Sequence, residues 1–104
     1  MEVTIRFAGR IISGDAVEYL QDEFSREFKV LKDLGAQLVG AQEHRYIETR
    51  SMDWDFGSSD TYQLEMVDII FKFQVSEEDT DKVLNFLDLL QDLDYEFSYS
   101  KSLL

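Results

Sequence analysis

The sequence predicts a single α+β domain with the ferredoxin-like order βαββαβ, in which a four-stranded antiparallel sheet carries two helices on one face. Apolar residues alternate in four segments, recur every three or four residues in two others, and are separated by glycine, serine and aspartate. With 104 residues the chain has room for one domain, residues 1–104. Two right-handed crossovers joined by a hairpin would place the first and third strands at the centre of the sheet.

The first strand and helix follow from the first 35 residues. Val3, Ile5 and Phe7 alternate with small or polar residues, which predicts a strand. Serine, glycine and aspartate at 13–15 then provide a turn and a helix cap. One continuous helix is predicted up to residue 34, from apolar residues at spacings of 3, 4, 4, 3 and 3: Val17, Leu20, Phe24, Phe28, Leu31 and Leu34. Gly35 follows at the position of a left-handed C-terminal cap.

The middle of the chain predicts a hairpin. Residues 36–50 and 62–75 have strand composition, and residues 51–60, rich in glycine, serine and aspartate, are predicted to form the loop. In residues 62–75 the alternating apolar residues occupy even positions up to Met66 and odd positions from Val67 onward. This shift predicts either a β-bulge or a strand that changes the face it buries.

The last third of the chain predicts a helix and a final strand. Ser76 and the acids that follow it suit a helix N-terminus. Apolar residues continue at helical spacing and include more than one sheet face requires: Val83, Leu84, Phe86, Leu87, Leu89, Leu90 and Leu93. Alternating aromatic residues over 95–99 predict the fourth strand.

Composition excludes several classes of function. The 22 acidic and 10 basic residues give a net charge of −12, and residues 51–104 account for −10 of it. Cysteine is absent, so disulfides and thiolate metal sites are excluded, and we expect neither a cofactor nor a metal. Direct nucleic-acid binding is disfavoured because it needs a basic surface. No apolar run is long enough to span a membrane and no signal peptide is visible, so a cytoplasmic location is expected.

The predicted hairpin loop is the first candidate partner-binding site. It contains Asp53, Trp54, Asp55 and Asp60. An exposed tryptophan flanked by carboxylates suits a protein interface, since tryptophan anchors contacts and acids attract a basic partner. The alternative is that Trp54 folds back over the core. A calcium loop fits poorly, because bulky residues separate the aspartates and no late glutamate follows.

The second helix is the other candidate partner-binding site. Its exposed acids are expected to be Glu77, Glu78, Asp81, Asp88 and Asp92. Carboxylates three or four residues apart on a helix lie about 5–6 Å apart, and such rows imitate the charge pattern of a nucleic-acid backbone. The alternative is an ordinary solvated helix face. Phe86, Leu89 and Leu93 would border the row as a partner or dimer interface.

Two further groups of residues are candidates for chemistry. His44, the only histidine, could act as a base with Glu43 or Glu48, although Tyr46 rather than Glu43 shares its strand face. No catalytic residues are predicted, because a solvated strand histidine is the simpler interpretation. Four arginines would form an anion-binding patch if the first two strands present them on one face: Arg6, Arg10, Arg45 and Arg50.

These observations favour a non-enzymatic acidic protein that docks on a basic protein surface. A phage or mobile-element inhibitor that mimics nucleic acid, and thereby blocks a nucleic-acid-binding enzyme, is the sharpest form of this hypothesis. The alternative is a ferredoxin-like homodimer that binds a small ligand or serves as a regulatory module, with Tyr46, Tyr62 and Tyr99 lining its free sheet face. An enzyme using carboxylates and His44 ranks last.

Overall fold

A computed structural model of the chain describes residues 1–11, 14–53 and 59–103. The elements are β1 (Glu2–Ile11), α1 (Ala16–Glu23), α2 (Ser25–Asp33), β2 (Gln37–Asp53), β3 (Ser59–Gln74), α3 (Glu77–Asp92) and β4 (Ser98–Ser102). The strands form one antiparallel sheet in the order β2-β3-β1-β4, with β1 and β3 in the centre. The α+β class and the four-stranded antiparallel sheet are therefore confirmed.

The prediction of two helices is wrong, because the first predicted helix is divided at Phe24. The backbone there has φ −103° and ψ 24°, so α1 ends and α2 begins at this residue. The Phe24 ring stays in the core, with its centroid 5.0 Å from that of Phe7 and 5.8 Å from that of Tyr95. Since Phe24 remains in the apolar stripe, the spacing of apolar residues does not reveal the break. The described chain follows the order βααββαβ rather than a strict βαββαβ plan.

The helix ends agree with the sequence in two places. Asp15 caps α1, its side chain accepting a hydrogen bond from the Glu18 N–H at 3.1 Å. Gly35, at φ +102°, takes the left-handed conformation expected after α2. At the start of α3, Ser76 precedes the helix as expected, but its hydroxyl donates to the Asp79 carboxylate at 3.0 Å instead of capping a backbone N–H.

The core lies between one face of the sheet and the three helices. Its strand residues occupy alternate positions: Val3, Ile5 and Phe7 of β1 and Val67, Ile69, Phe71 and Phe73 of β3. The helices contribute Ala16, Leu20, Leu31, Val83, Leu87 and Leu90 to the same cluster. Phe71 is fully buried and makes edge contacts with Phe7 and Phe28, at centroid distances of 5.9 and 5.0 Å. All three helices thus cover one face, and the other is open.

The phase shift in β3 is a change of buried face. Pairing with β2 runs without interruption through Met66 and Val67, so β3 has no bulge there. The irregularity lies in β1, between Phe7 and Arg10, where Gly9 has φ +67°. Met66 is 3% exposed on the open face, and Val67 is fully buried toward the helices. The bulge prediction for the third strand is therefore wrong, and the alternative is correct.

The β2–β3 hairpin extends well beyond the rest of the sheet. The pairing of β1 with β3 ends at Met66, and beyond it residues 47–53 and 59–65 form a two-stranded arm. The predicted loop is accordingly shorter than expected, because ladder hydrogen bonds form between polar residues as readily as between apolar ones. The molecule measures 60 × 26 × 26 Å, and its radius of gyration of 17.1 Å exceeds the value of about 13 Å typical of this length.

Candidate functional site

The acids of α3 form one row on its solvent side. The opposite side of the helix is buried through Thr80, Val83, Leu87 and Leu90. The row consists of the exposed residues Glu77, Asp81, Asp88 and Asp92, at spacings of 4, 7 and 4 residues. At a rise of about 1.5 Å per residue, the row is about 22 Å long. Four of the five helix acids expected to face a partner thus lie on a single line, which we call the acid row.

The acid row has little counter-charge. Lys82 is the lysine of α3, and its Nζ lies 3.7 Å from Asp79, a carboxylate outside the row. Within the described part of the chain, none of the four row acids forms an ion pair with lysine or arginine. Asp88 accepts a hydrogen bond from the Tyr99 hydroxyl, which orients one carboxylate without neutralising it. The row therefore presents nearly its full negative charge to solvent.

An apolar border lies beside the acid row. Glu78, the remaining predicted helix acid, is exposed on the neighbouring line of α3. Leu89 and Leu93 follow it by 11 and 15 residues, which places them close to that line, and they are 54% and 62% exposed. The prediction that Phe86 belongs to this border is wrong, because Phe86 packs against the core. The surface of α3 thus combines carboxylates with two leucines that its own domain leaves uncovered.

The predicted hairpin site lies at the other end of the molecule. Asp53 ends β2, and Asp60 is exposed near the start of β3, while Trp54 and Asp55 lie outside the described residues. Between Asp60 and the start of α3 the chain runs the length of β3, at about 3.3 Å per residue. Glu77, at the start of α3, is therefore about 50 Å from Asp60 along the sheet. Because α3 runs back alongside the strands for about 22 Å, Asp92 at its other end lies closer to Asp60.

The open face of the sheet holds a buried carboxylate, Asp68, which is 7% exposed. It accepts hydrogen bonds from the Arg6 guanidinium at 2.5 Å, the Gly9 N–H at 2.8 Å and the Tyr46 hydroxyl at 3.2 Å. The bond from Arg6 is the main reason that the pKa of Asp68 lies below its ordinary value. Burial of the Tyr46 hydroxyl, with its bond to Asp68, raises the pKa of that tyrosine. Two of these donors, Arg6 and Gly9, belong to β1, and Asp68 belongs to β3. The carboxylate therefore holds the β1 bulge against β3.

His44 lies on the open face opposite Asp68 and is exposed. Its ring stacks on Tyr46 at a centroid distance of 5.8 Å, so the two share a face as predicted. Among the described residues no carboxylate forms a hydrogen bond or ion pair with it. Nothing in this geometry orients His44 as a catalytic base.

The four arginines do not form the expected patch. Arg6 and Arg50 lie on the open face, whereas the Arg10 guanidinium lies 5.8 Å from the centroid of the Phe7 ring, on the helix side. Arg45 also alternates to the helix side. Three of them pair with acids: Arg6 with Asp68, Arg45 with Glu43, and Arg50 with Glu48. The bond to Glu48 raises the pKa of Arg50. Their charges are thus divided between faces and mostly compensated.

A groove of about 680 Å³ separates α2 from the start of β2. Phe28, Ala36, Leu38 and Phe73 provide its apolar lining, and Lys29 and Lys32 extend from α2 at its rim. Neither lysine was among the candidate site residues predicted from the sequence. The sequence did contain one sign of the groove, since two lysines lie three residues apart next to Phe28. The groove is also formed by the start of β2, however, and the helix pattern does not reveal where β2 packs.

The described residues contain no cluster of histidine, aspartate and glutamate side chains suited to a metal ion. Within the same part of the chain, no helix is long and apolar enough to cross a bilayer. No protein-family model matches this chain, and neither does any curated protein. Functional inference therefore depends on the charge and shape of its surfaces.

Proposed function

We propose that this chain is a non-enzymatic binding protein whose acid row docks on a basic surface of another protein. The observation that carries the proposal is the alignment of four uncompensated carboxylates on the solvent side of α3. Such a line of charge speeds encounter with a basic partner and sets the orientation in which the two meet. Leu89 and Leu93 supply the apolar contact that a specific interface needs beside its charges.

The hairpin tip would be a second contact for the same partner or a site of its own. Of the residues predicted there, Asp60 lies about 50 Å from the start of α3 along β3, and Trp54 and Asp55 are outside the described residues. A partner that touches Asp60 and the whole acid row, from Glu77 to Asp92, must extend along most of the 60 Å molecule. The proposal therefore centres on α3, and Trp54→Ala tests the tip separately.

Nucleic-acid mimicry is the finer form of this proposal. One DNA strand carries a charge about every 3.4 Å, so about six or seven phosphates occupy the length over which α3 presents four acids. Glu78 and the acids after α3 add charge nearby but not on the same line. The row supports an inhibitor that occupies part of a phosphate-binding groove, and displacement by DNA is the property that distinguishes such an inhibitor.

The test is capture of partners from nuclease-treated host lysate, at low and high salt, with three forms of the protein. The first is the wild type. The second neutralises the acid row through Glu77→Gln, Asp81→Asn, Asp88→Asn and Asp92→Asn. The third neutralises four exposed acids of α1 and α2 through Glu18→Gln, Asp22→Asn, Glu23→Gln and Asp33→Asn. Both variants have a net charge of −12 + 4 = −8, so they differ only in where the charge is removed.

We expect a basic protein to bind the wild type and the α1–α2 variant, and to bind the acid-row variant at least about tenfold more weakly. Each exposed charge contact contributes between almost nothing and about fivefold, and four contacts multiply. Binding should weaken steeply as salt rises, because exposed charges are screened over about 8–10 Å. Salt-independent capture, or equal loss in both variants, would contradict the proposal. Displacement of the partner by duplex DNA would support mimicry.

A ferredoxin-like homodimer is the second candidate, with α1 and α2 together replacing the first helix of the βαββαβ plan. The open face favours it, because Tyr62 and Leu64 of the arm and the neighbouring Tyr46 are partly exposed there. The prediction that Tyr99 lines this face is wrong, since Tyr99 packs against the core on the helix side. Light scattering tests the idea: a dimer at twice 12.2 kDa that persists in high salt supports it, and a monomer excludes it.

A further inference from the structure

We infer that the groove between α2 and β2 binds an amphipathic organic anion, namely a carboxylate with an aliphatic chain. The groove is separate from the acid row, and its volume of about 680 Å³ falls within the range of about 300–1,000 Å³ common to small-molecule sites. It combines an apolar floor with charged groups at one rim, which is the arrangement that such a ligand needs.

The floor of the groove is built from core residues. Phe73 is 2% exposed and Ala36 is 3% exposed, so both are fixed by packing. The Phe28 ring stands edge-on to Phe73, at a centroid distance of 5.6 Å and an interplanar angle of 75°. Leu38, on the edge strand β2, is 38% exposed and forms the opposite wall. Phe28 and Leu38 thus supply apolar surface that the domain leaves partly uncovered, over a floor fixed by Phe73 and Ala36.

The rim supplies positive charge that has no partner. Lys29 and Lys32 line the groove, and neither forms an ion pair among the described residues. Asp79 approaches Gly35 at the end of the groove, but its carboxylate bonds Ser76 and Lys82 and is not part of the lining. The charged residues of the lining are therefore two lysines, in a protein whose net charge is −12.

The rim of the groove is positive whereas the protein as a whole is negative, and this contrast determines which ligand can bind. The field of the whole protein attracts cations and repels anions at long range. Only a group placed between Lys29 and Lys32 would experience a favourable local potential, which selects a compact anion such as a carboxylate. The methylene chain would then lie over Phe28, Phe73 and Leu38, where removal from water favours binding.

The test uses decanoate, decanol and decyltrimethylammonium, each below its micelle concentration, with isothermal titration calorimetry of the full chain. We expect saturable binding of decanoate, weaker binding of decanol and the weakest binding of the cation. Octanoate should bind up to about 15-fold more weakly than decanoate, since each buried methylene contributes about fourfold. Equal or tighter binding of the cation, or no saturable binding of decanoate, would overturn the inference.

Matched variants locate the site. The double variant Lys29→Gln/Lys32→Gln should bind decanoate about tenfold more weakly, whereas Lys72→Gln/Lys101→Gln should bind as the wild type does. Both variants have a net charge of −12 − 2 = −14, so the overall field is the same. In methyl spectra, decanoate should shift Ala36 and Leu38 but not Leu103, which is 85% exposed. Equal loss in both variants, shifts confined to other residues, or preference for an acidic peptide over decanoate would refute the site.

Discussion

Gly35→Ala is expected to destabilise the protein far more than Gly14→Ala, although both glycines have positive φ. Gly35 has φ +102° and Gly14 has φ +75°, so alanine is strained at either position. At Gly14 an added Cβ meets no atom of the described residues within 4 Å. At Gly35 it would lie 2.4 Å from Oδ2, 2.9 Å from Cγ and 3.2 Å from Cβ of Asp79, in the first turn of α3.

The magnitude follows from two contributions. Left-handed backbone costs a residue with a side chain about 1–2 kcal/mol, and this applies to both variants. The Asp79 side chain can rotate away only by giving up its contacts with Ser76 and Lys82, and otherwise α3 must shift; such overpacking costs about 1–3 kcal/mol more. Gly35→Ala should therefore lower the free energy of unfolding by about 2–5 kcal/mol, against about 1–2 kcal/mol for Gly14→Ala.

Urea unfolding followed by far-ultraviolet circular dichroism measures both values. Asp79→Ala removes the two closest atoms, so in that background Gly35→Ala should lose only the backbone contribution, with a coupling energy of about 1–3 kcal/mol. If Gly35→Ala is no more destabilising than Gly14→Ala, or if Asp79→Ala rescues nothing, then α3 does not pack on the α2–β2 turn in the manner described.

Three further predictions concern the sheet. Asp68→Asn should lower the free energy of unfolding by about 1–3 kcal/mol at neutral pH, because buried donors lose a charged acceptor. Since the pKa of Asp68 is lowered in the folded state, its stabilising effect is complete above about pH 4 and is lost as pH falls through the lowered pKa. Urea unfolding at pH 7 and pH 3 should therefore show a smaller difference between variant and wild type at pH 3, and an equal difference would contradict this. Phe71→Ala should cost about 3–5 kcal/mol, whereas Leu93→Ala should change stability by about 0.5 kcal/mol or less, and equal costs would contradict the assigned core. Amide hydrogens of the arm at 47–51 and 61–65 should exchange with deuterium faster than those of β1, because none of the other described strands or helices pairs with the arm there. Slower exchange in the arm would show that a second copy covers it.

The parts of the fold set by local pattern were predictable. The Asp15 cap, the positive φ of Gly35 and the alternation of β1 depend on residues that are neighbours in sequence. The division of the first helix at Phe24 was not, because the aromatic residues that hold its ring come from β1 and from the segment after α3. The spacing of apolar residues indicates which face of a helix is buried, but it does not indicate whether the helix is interrupted.

The features set by distant contacts could not be predicted from the sequence. Asp68 looks like one more acid in an acidic half, but its partners Arg6 and Gly9 are 62 and 59 residues away. The shift in apolar alternation at Met66 fits either a β-bulge or a change of the buried face. Only the register of β3 against β1 and β2 distinguishes the two. In the acid row, helical spacing was enough to align the carboxylates, since a helix fixes its own geometry.

Zero-length cross-linking with a carbodiimide tests the central claim most directly, because it joins a carboxylate only to an amine in contact with it. The wild type is treated together with the basic partner captured at low salt, and the joined peptides are mapped by mass spectrometry. The docking of α3 predicts cross-links at Glu77, Asp81, Asp88 and Asp92, which disappear as salt is raised. Cross-links confined to the exposed acids of α1 and α2, or distributed evenly over the surface, would show that the acid row is not the binding site.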